Sequence, residues 1–211
     1  MGKSDPYINE AYKKVIQQKK WKSIGFFGFP ESSPLTDWFD SPIKDFYDLK
    51  NKNWNINIYP YKVDRKYDLI VCTRVAYFCK DPEKLINSFK ELLSDEGKIL
   101  IDWGLGDHWR FDNYKIGWVK DEEHEWAYEK NNYLWSTVWS DNFQKHINFR
   151  LFQEWIKKKG YSDLKSAVFK EVPKVLNLDN TNLQISKNIL CDIVTLWEDS
   201  PQMYIILVLT K

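Results

Sequence analysis

The chain has 211 residues, a length typical of one α/β domain that buries its own core. Its 31 basic and 30 acidic side chains give a formal net charge of +1, so the composition does not favour a nucleic-acid-binding protein. The apolar run at 204–209 is too short to cross a bilayer, and the lysine-rich first twenty residues contain no apolar signal sequence. We therefore expect a cytoplasmic protein, not a secreted or membrane-spanning one. Cys72, Cys79 and Cys191 lack metal-ligand spacing and should be buried, reduced thiols.

The first third of the chain alternates helical and strand-like segments. Residues 5–20 predict a lysine-rich helix, which would be either solvent-exposed or laid over a ligand pocket. A strand is predicted over 22–29, followed by a short helix at 33–39. Two further strands are predicted over 43–49 and 56–61.

The middle of the chain has the clearest pattern. Residues 67–73 form a nearly continuous apolar run, as expected of a strand covered on both faces. Asp81 and Pro82 then form a helix start, and apolar residues recur at helical spacing over 82–93. A second apolar strand is predicted over 98–103, beyond Gly97, which should end the helical region. A strand, a helix and a strand at this spacing predict a βαβ unit and an α/β fold.

The last third predicts one helix and a terminal strand. An amphipathic helix is predicted over 149–159, ended by Gly160. Apolar segments follow at 164–172 and 189–197, and the final strand is predicted over 203–209. A strand this close to the last residue predicts that the chain ends inside the sheet.

At residues 67–104 the sequence resembles the class I S-adenosylmethionine-dependent methyltransferases. The similarity lies in YDLI at 67–70, the Asp-Pro helix start at 81–82 and LSDEGK at 93–98. The resemblance extends over 21–104 and 147–211. It implies a single domain over 1–211 with a Rossmann-like fold, in which a mostly parallel sheet has an antiparallel C-terminal strand and helices on both faces. It also implies S-adenosylmethionine as cofactor.

The resemblance places the cofactor-binding turn of this family in IGFFGFP at 24–30. Glycines in such a turn let the backbone approach the methionine part of the cofactor. Gly25, Phe26 and Gly28 are therefore expected to bind the cofactor. Lys22 or Ser23 stands where the family has an acidic residue, and Glu31 just past the turn would replace that carboxylate. The alternative is a plain strand end with a packed turn.

Further cofactor contacts follow from the same resemblance. Asp48, or Asp45, lies near the end of the second strand, where the family holds the ribose hydroxyls with a carboxylate. Asp64, after the expected third strand, would approach the adenine amino group. Thr73 and Arg74 would line the cofactor cleft after the fourth strand. For each aspartate, an exposed loop residue without a ligand is the alternative.

An aromatic segment at 104–146 departs from the family pattern and is expected to form a lid over the site. The protein has 11 tryptophans, six of which lie within 103–139, and all three histidines follow Gly104. Asp107 and His108 are the expected catalytic pair, with His108 as base, and Tyr77, Trp103 and Trp109 would contact the substrate. The tryptophans could instead form a satellite core or a dimer face. The histidine spacing does not favour a metal site.

Three functions are consistent with these features. The first is a methyltransferase that acts on a small or medium-sized molecule. The second is a methyltransferase-like fold that has no catalytic activity and works as a binding or assembly module. The third, an RNA-modifying methyltransferase, would need a basic groove. The first two differ in one structural respect: whether the turn at 25–30 leaves an open cleft or is filled by Phe26, Phe27 and Phe29.

Overall fold

The structure is a computed structural model. The residues that it describes are 5–29, 31–48, 54–73, 75–76, 79, 81–105, 160–187, 190–195 and 201–211. In chain order the elements are α1 (Asp5–Ile16), β1 (Ile24–Phe27), α2 (Pro34–Trp38), β2 (Lys44–Tyr47), β3 (Tyr67–Cys72), α3 (Pro82–Glu91), β4 (Leu93–Leu105), α4 (Leu164–Val175), a 3₁₀ turn (Leu178–Asn180), β5 (Gln184–Ile185), β6 (Leu190–Thr195) and β7 (Pro201–Thr210). None of the helices in these ranges has the length and apolarity needed to cross a membrane.

The strands form one sheet in the order β2-β1-β3-β4-β7, with β5 and β6 both paired to β7. The pairs β1–β2, β1–β3 and β3–β4 are parallel, whereas β7 is antiparallel to each of its neighbours. One face carries α1 and α2, and the other carries α3 and α4. This is an α/β, Rossmann-like fold with an antiparallel C-terminal strand, as predicted. The extent of the domain, 1–211, stays a prediction.

Local signals explain the confirmed βαβ unit. Asp81 caps α3, since its Oδ1 accepts a hydrogen bond of 3.0 Å from the Lys84 N–H, and Pro82 follows as the first helical residue. The helix ends earlier than predicted, at Glu91, and β4 already begins at Leu93. Gly97 therefore lies within β4, where a Cβ atom would be 2.9 Å from the Tyr67 carbonyl oxygen. Its task is close backbone packing and not helix termination.

The strand predicted over 56–61 is wrong. The segment forms turns, in which Asn55 accepts hydrogen bonds from the N–H groups of Asn57 (2.9 Å, to Oδ1) and Ile58 (3.1 Å, to the carbonyl). Pro60 lacks the N–H that a strand would use for pairing. The alternating apolar pattern instead has Ile56 and Tyr61 buried in the core, while Ile58 is 65% exposed.

Helix α1 is part of the core. Tyr12 is fully buried, and its hydroxyl donates a hydrogen bond to Oδ2 of Asp102, a fully buried carboxylate on β4. Val15 and Ile16 complete the apolar side of the helix. The structure thus favours a helix that covers the sheet over a solvent-exposed one.

Replacing Tyr12 with phenylalanine should lower the free energy of unfolding by roughly 1–3 kcal/mol. The substitution keeps the ring but removes a donor from a buried carboxylate. Urea denaturation of the variant beside the wild type checks this. Equal stability would show that the hydroxyl does not hold α1 to β4.

Candidate functional site

The order in which the chain adds parallel strands to the sheet reverses at β1. The chain runs from β1 to β2 on one side and then returns to β3 on the other side of β1. In open α/β sheets, ligands bind beyond the carboxyl ends of the strands at such a reversal. Gly28 follows β1 directly, Asp48 follows β2 and Thr73 follows β3. These three predicted residues therefore lie at the carboxyl edge where a ligand site is expected.

The turn after β1 requires a glycine. Gly28 has φ +74°, a left-handed conformation, and its N–H donates a hydrogen bond of 2.6 Å to the Tyr47 carbonyl. A Cβ atom on Gly28 would be 2.5 and 2.6 Å from the two methyl carbons of Val75, in the segment after β3. The close approach that the turn permits is thus made by the Val75 side chain.

The three phenylalanines of this strand and turn do not cover the turn. Phe26 and Phe29 pack with α1 and α2 on one face of the sheet. Phe27 is fully buried on the opposite face, where its ring is stacked on Tyr47 with 4.6 Å between the ring centroids. The phenyl rings therefore belong to the two cores, and Val75 is the side chain against the turn.

A pocket of about 330 Å³ lies beside the end of β2. Its lining is mainly aromatic and apolar, and consists of Tyr47, Trp54, Asn55, Ile58, Pro60, Tyr61, Lys62 and Val63. Phe27 supports this wall, because its ring contacts Tyr47, Trp54 and Tyr61. The volume lies within the range of small-molecule sites, and an apolar lining with a few polar groups is typical of them.

The pocket is tied to the end of β2. The backbone N–H of Trp54 donates a hydrogen bond of 2.9 Å to the backbone carbonyl of Asp48. This bond holds the aromatic wall next to Asp48, which is half-buried. Among the residues that the structure describes, the buried Trp54 Nε1 and Thr73 Oγ1 have no hydrogen-bond partner. Buried polar groups normally have one. Two buried polar atoms without a hydrogen-bond partner among the described residues, Trp54 Nε1 and Thr73 Oγ1, thus lie near the carboxyl edge.

Three of the predicted cofactor-binding residues are not at this edge. Gly25 lies inside β1 beneath the Tyr67 ring, since a Cβ atom there would be 2.9 Å from two of its carbons. Phe26 is fully buried. Asp64 is exposed in the loop that enters β3 from its amino end, because the expected third strand did not form. Steric packing, not ligand contact, accounts for Gly25 and Phe26.

Some of the remaining candidates are described by the structure and the others are not. Glu31 is exposed shortly before α2. Asp45 accepts a hydrogen bond of 2.7 Å from the Tyr67 hydroxyl and forms an ion pair with Arg65, with 3.3 Å between Oδ2 and Nε. Trp103 lies in β4, paired with Ile205. The other predicted site residues lie outside the described residues: Arg74, Tyr77, Asp107, His108 and Trp109. The same holds for the predicted helix 149–159 and for the aromatic segment beyond Leu105.

Cys79 lies near this site but is not a nucleophile. It is fully buried, and its Sγ is 3.2 Å from the Tyr59 hydroxyl oxygen. Burial raises the pKa of the Cys79 thiol to about 12, so the thiol stays protonated at neutral pH. Burial also raises the pKa of Cys72 well above its usual value. Both side chains are buried and form no disulfide, which agrees with the burial predicted from the sequence.

A second pocket, of about 510 Å³, lies at the opposite, amino edge of the sheet. Five of its seven lining residues are charged: Lys20, Lys22, Asp68, Glu96 and Lys98. It lies away from the carboxyl ends of the parallel strands. The aromatic pocket beside Asp48 is therefore the better candidate site.

No protein-family model and no curated protein sequence matches the chain. Several solved structures that resemble it are methyltransferases, each of low sequence identity to this chain. The N-methyltransferase NodS from Bradyrhizobium japonicum WM9, in complex with S-adenosylhomocysteine, is 8% identical with a TM-score of 0.48, over 98% of this chain and 87% of that one. Magnesium protoporphyrin IX methyltransferase from Synechocystis PCC 6803 is 9% identical, with a TM-score of 0.47, over 99% and 84%. Coclaurine N-methyltransferase is 12% identical, with a TM-score of 0.45, over 98% and 72%. The fold assignment itself rests on the strand order and directions, which agree with the resemblance seen in the sequence.

Proposed function

We propose that this protein binds S-adenosylmethionine at the carboxyl edge of its sheet and transfers the methyl group to a small or medium-sized acceptor. The observation that carries the proposal is the aromatic pocket beside Asp48, at the point where the strand order reverses. The methyltransferases among the similar solved structures suggest the cofactor, and the three named above are all described with S-adenosylhomocysteine bound.

The residues present fit the nucleoside part of this cofactor. Asp48 offers carboxyl oxygens as acceptors to the two ribose hydroxyls, which are donors. Tyr47, Trp54 and Tyr61, each 7–8% exposed, line the pocket in which the purine would lie, and the pocket volume suits a ligand of this size. We assign ribose recognition to Asp48 and purine binding to the aromatic wall.

The acceptor would enter beside the end of β4. The cofactor supplies a methyl group on a positively charged sulfur, so the chain has to align the acceptor and remove its proton. Leu105 ends β4 at the carboxyl edge, and Asp107 and His108 follow shortly after it. We propose His108 as the base and Asp107 as the group that orients it. Trp109 is proposed to contact the acceptor, together with Tyr77 and Trp103.

Replacing Asp48 with asparagine should weaken the binding of S-adenosylhomocysteine by roughly 10-fold to 100-fold, the usual cost of losing hydrogen bonds to a charged group. Isothermal titration calorimetry checks this. Asp64→Asn is the matched control, since it removes the same charge from an exposed loop before β3 and should leave the dissociation constant unchanged. Equal weakening by both variants would point to general charge loss and contradict the assignment.

A binding or assembly module without catalysis is the second candidate. The Val75 side chain against Gly28 favours it, because that contact occupies the surface where the methionine part would lie. Titration with S-adenosylmethionine and S-adenosylhomocysteine separates the two functions. Heat from either ligand supports the enzyme, and the absence of heat at millimolar concentration supports the module.

A further inference from the structure

The Val75 side chain lies against the turn at Gly28, where the absence of a Cβ would otherwise let a ligand approach the backbone. Its two methyl carbons are 2.5 and 2.6 Å from the position of a Cβ atom on Gly28, so they are in contact with the Gly28 backbone. The Val75 side chain is half-buried and packs against the same core as the aromatic wall. No ligand atom can contact Gly28 from this side while Val75 keeps its position.

The aromatic pocket is built from other residues. Its lining contains neither Gly28 nor Val75, and its position is set by Phe27 and by the hydrogen bond from Trp54 to Asp48. The two halves of the site therefore differ: the nucleoside half has an open pocket, and the amino-acid half has a valine against the backbone that would hold it.

We propose that Val75 determines specificity at this site by limiting how much the amino-acid part of the ligand contributes to binding. The proposal rests on the proposed function. In the wild-type protein, the nucleoside part supplies nearly all of the affinity. Truncating Val75 opens the surface of Gly28, and the amino-acid part then adds to the binding.

The experiment compares adenosine with S-adenosylhomocysteine by calorimetry on the full chain. Both should bind the wild type with dissociation constants within about threefold of each other. Val75→Ala should bind S-adenosylhomocysteine about 10-fold more tightly, a size typical of a small change in pocket volume, and adenosine within about twofold of the wild type.

Two control variants separate this effect from general loosening. Val75→Ile keeps both Cγ atoms, so it should bind S-adenosylhomocysteine with the same affinity as the wild type. Val168→Ala is an identical truncation on α4, in the same core but outside the pocket lining. It should change the affinity for neither ligand. Thermal unfolding confirms that each variant is folded. Should Val75→Ala fail to fold, Val75→Cys removes one branch and should shift S-adenosylhomocysteine binding in the same direction by less.

The outcomes distinguish this inference from the function on which it rests. S-adenosylhomocysteine that binds the wild type about 100-fold more tightly than adenosine, with no change in Val75→Ala, overturns the role of Val75 and leaves the proposed function standing. Absence of binding by either ligand to either protein overturns both.

Discussion

Replacing Phe27 with alanine should lower the free energy of unfolding by about 3–5 kcal/mol, the usual cost of removing a buried aromatic ring. Phe27 is fully buried, and its ring centroid lies 4.6 Å from that of Tyr47, 4.9 Å from Phe89 and 5.4 Å from Trp54. The lost volume would leave a cavity beneath the aromatic pocket. Urea denaturation followed by circular dichroism measures the change.

Phe46→Ala is the matched control for this variant. Phe46 is only half-buried, and its ring is stacked on Phe26 on the opposite face, with 5.0 Å between centroids. Because less of its surface leaves water on folding, its loss should cost less, roughly 1–2 kcal/mol. The two variants should also differ in ligand binding, since Phe27 supports the pocket wall and Phe46 does not. Equal costs would contradict the central position of Phe27.

Replacing Gly28 with alanine should lower the free energy of unfolding by roughly 2–5 kcal/mol. The left-handed φ of +74° costs an L residue about 1–2 kcal/mol. The new methyl group would also lie 2.5 Å from Val75, and such overpacking typically adds roughly 1–3 kcal/mol. Denaturant unfolding of the variant tests the sum of the two effects.

Gly160 separates the strain from the steric clash. It has a similar φ of +79°, but a Cβ atom there would meet no heavy atom of the described residues within 4 Å. Gly160→Ala should therefore cost only the strain, about 1–2 kcal/mol. In the double variant Gly28→Ala/Val75→Ala the clash is relieved, so it should be less destabilised than the sum of the two single variants. Strict additivity would show that Val75 does not contact Gly28.

The parts of the fold that the sequence predicts well are those with local causes. Residues 69–72 are all apolar, as expected of a strand with helices on both faces, and Asp81 with Pro82 begins α3. The failed strand at 56–61 has a non-local cause. Its alternating pattern matched a strand, yet the burial of Ile56 and Tyr61 comes from turns that pack against Phe27 and its neighbours.

The site could be predicted only in part. Asp48 was predicted near the end of a strand over 43–49, and it directly follows β2, which ends at Tyr47. Gly25 and Gly28 look alike in the sequence, and only the positive φ of Gly28 and the Tyr67 ring over Gly25 distinguish them. Val75 could not be predicted, since its contact with the turn joins two loops distant in the chain. Tyr61 was assigned to the strand predicted over 56–61, and Trp54, just before that segment, was not assigned to the site.

A crystal of the protein soaked with S-adenosylhomocysteine tests the proposed site most directly. We expect electron density for the nucleoside in the aromatic pocket beside Tyr47, with the ribose hydroxyls hydrogen-bonded to the Asp48 carboxylate. An empty aromatic pocket at saturating ligand, or density only at the charged pocket on the amino edge, would contradict it.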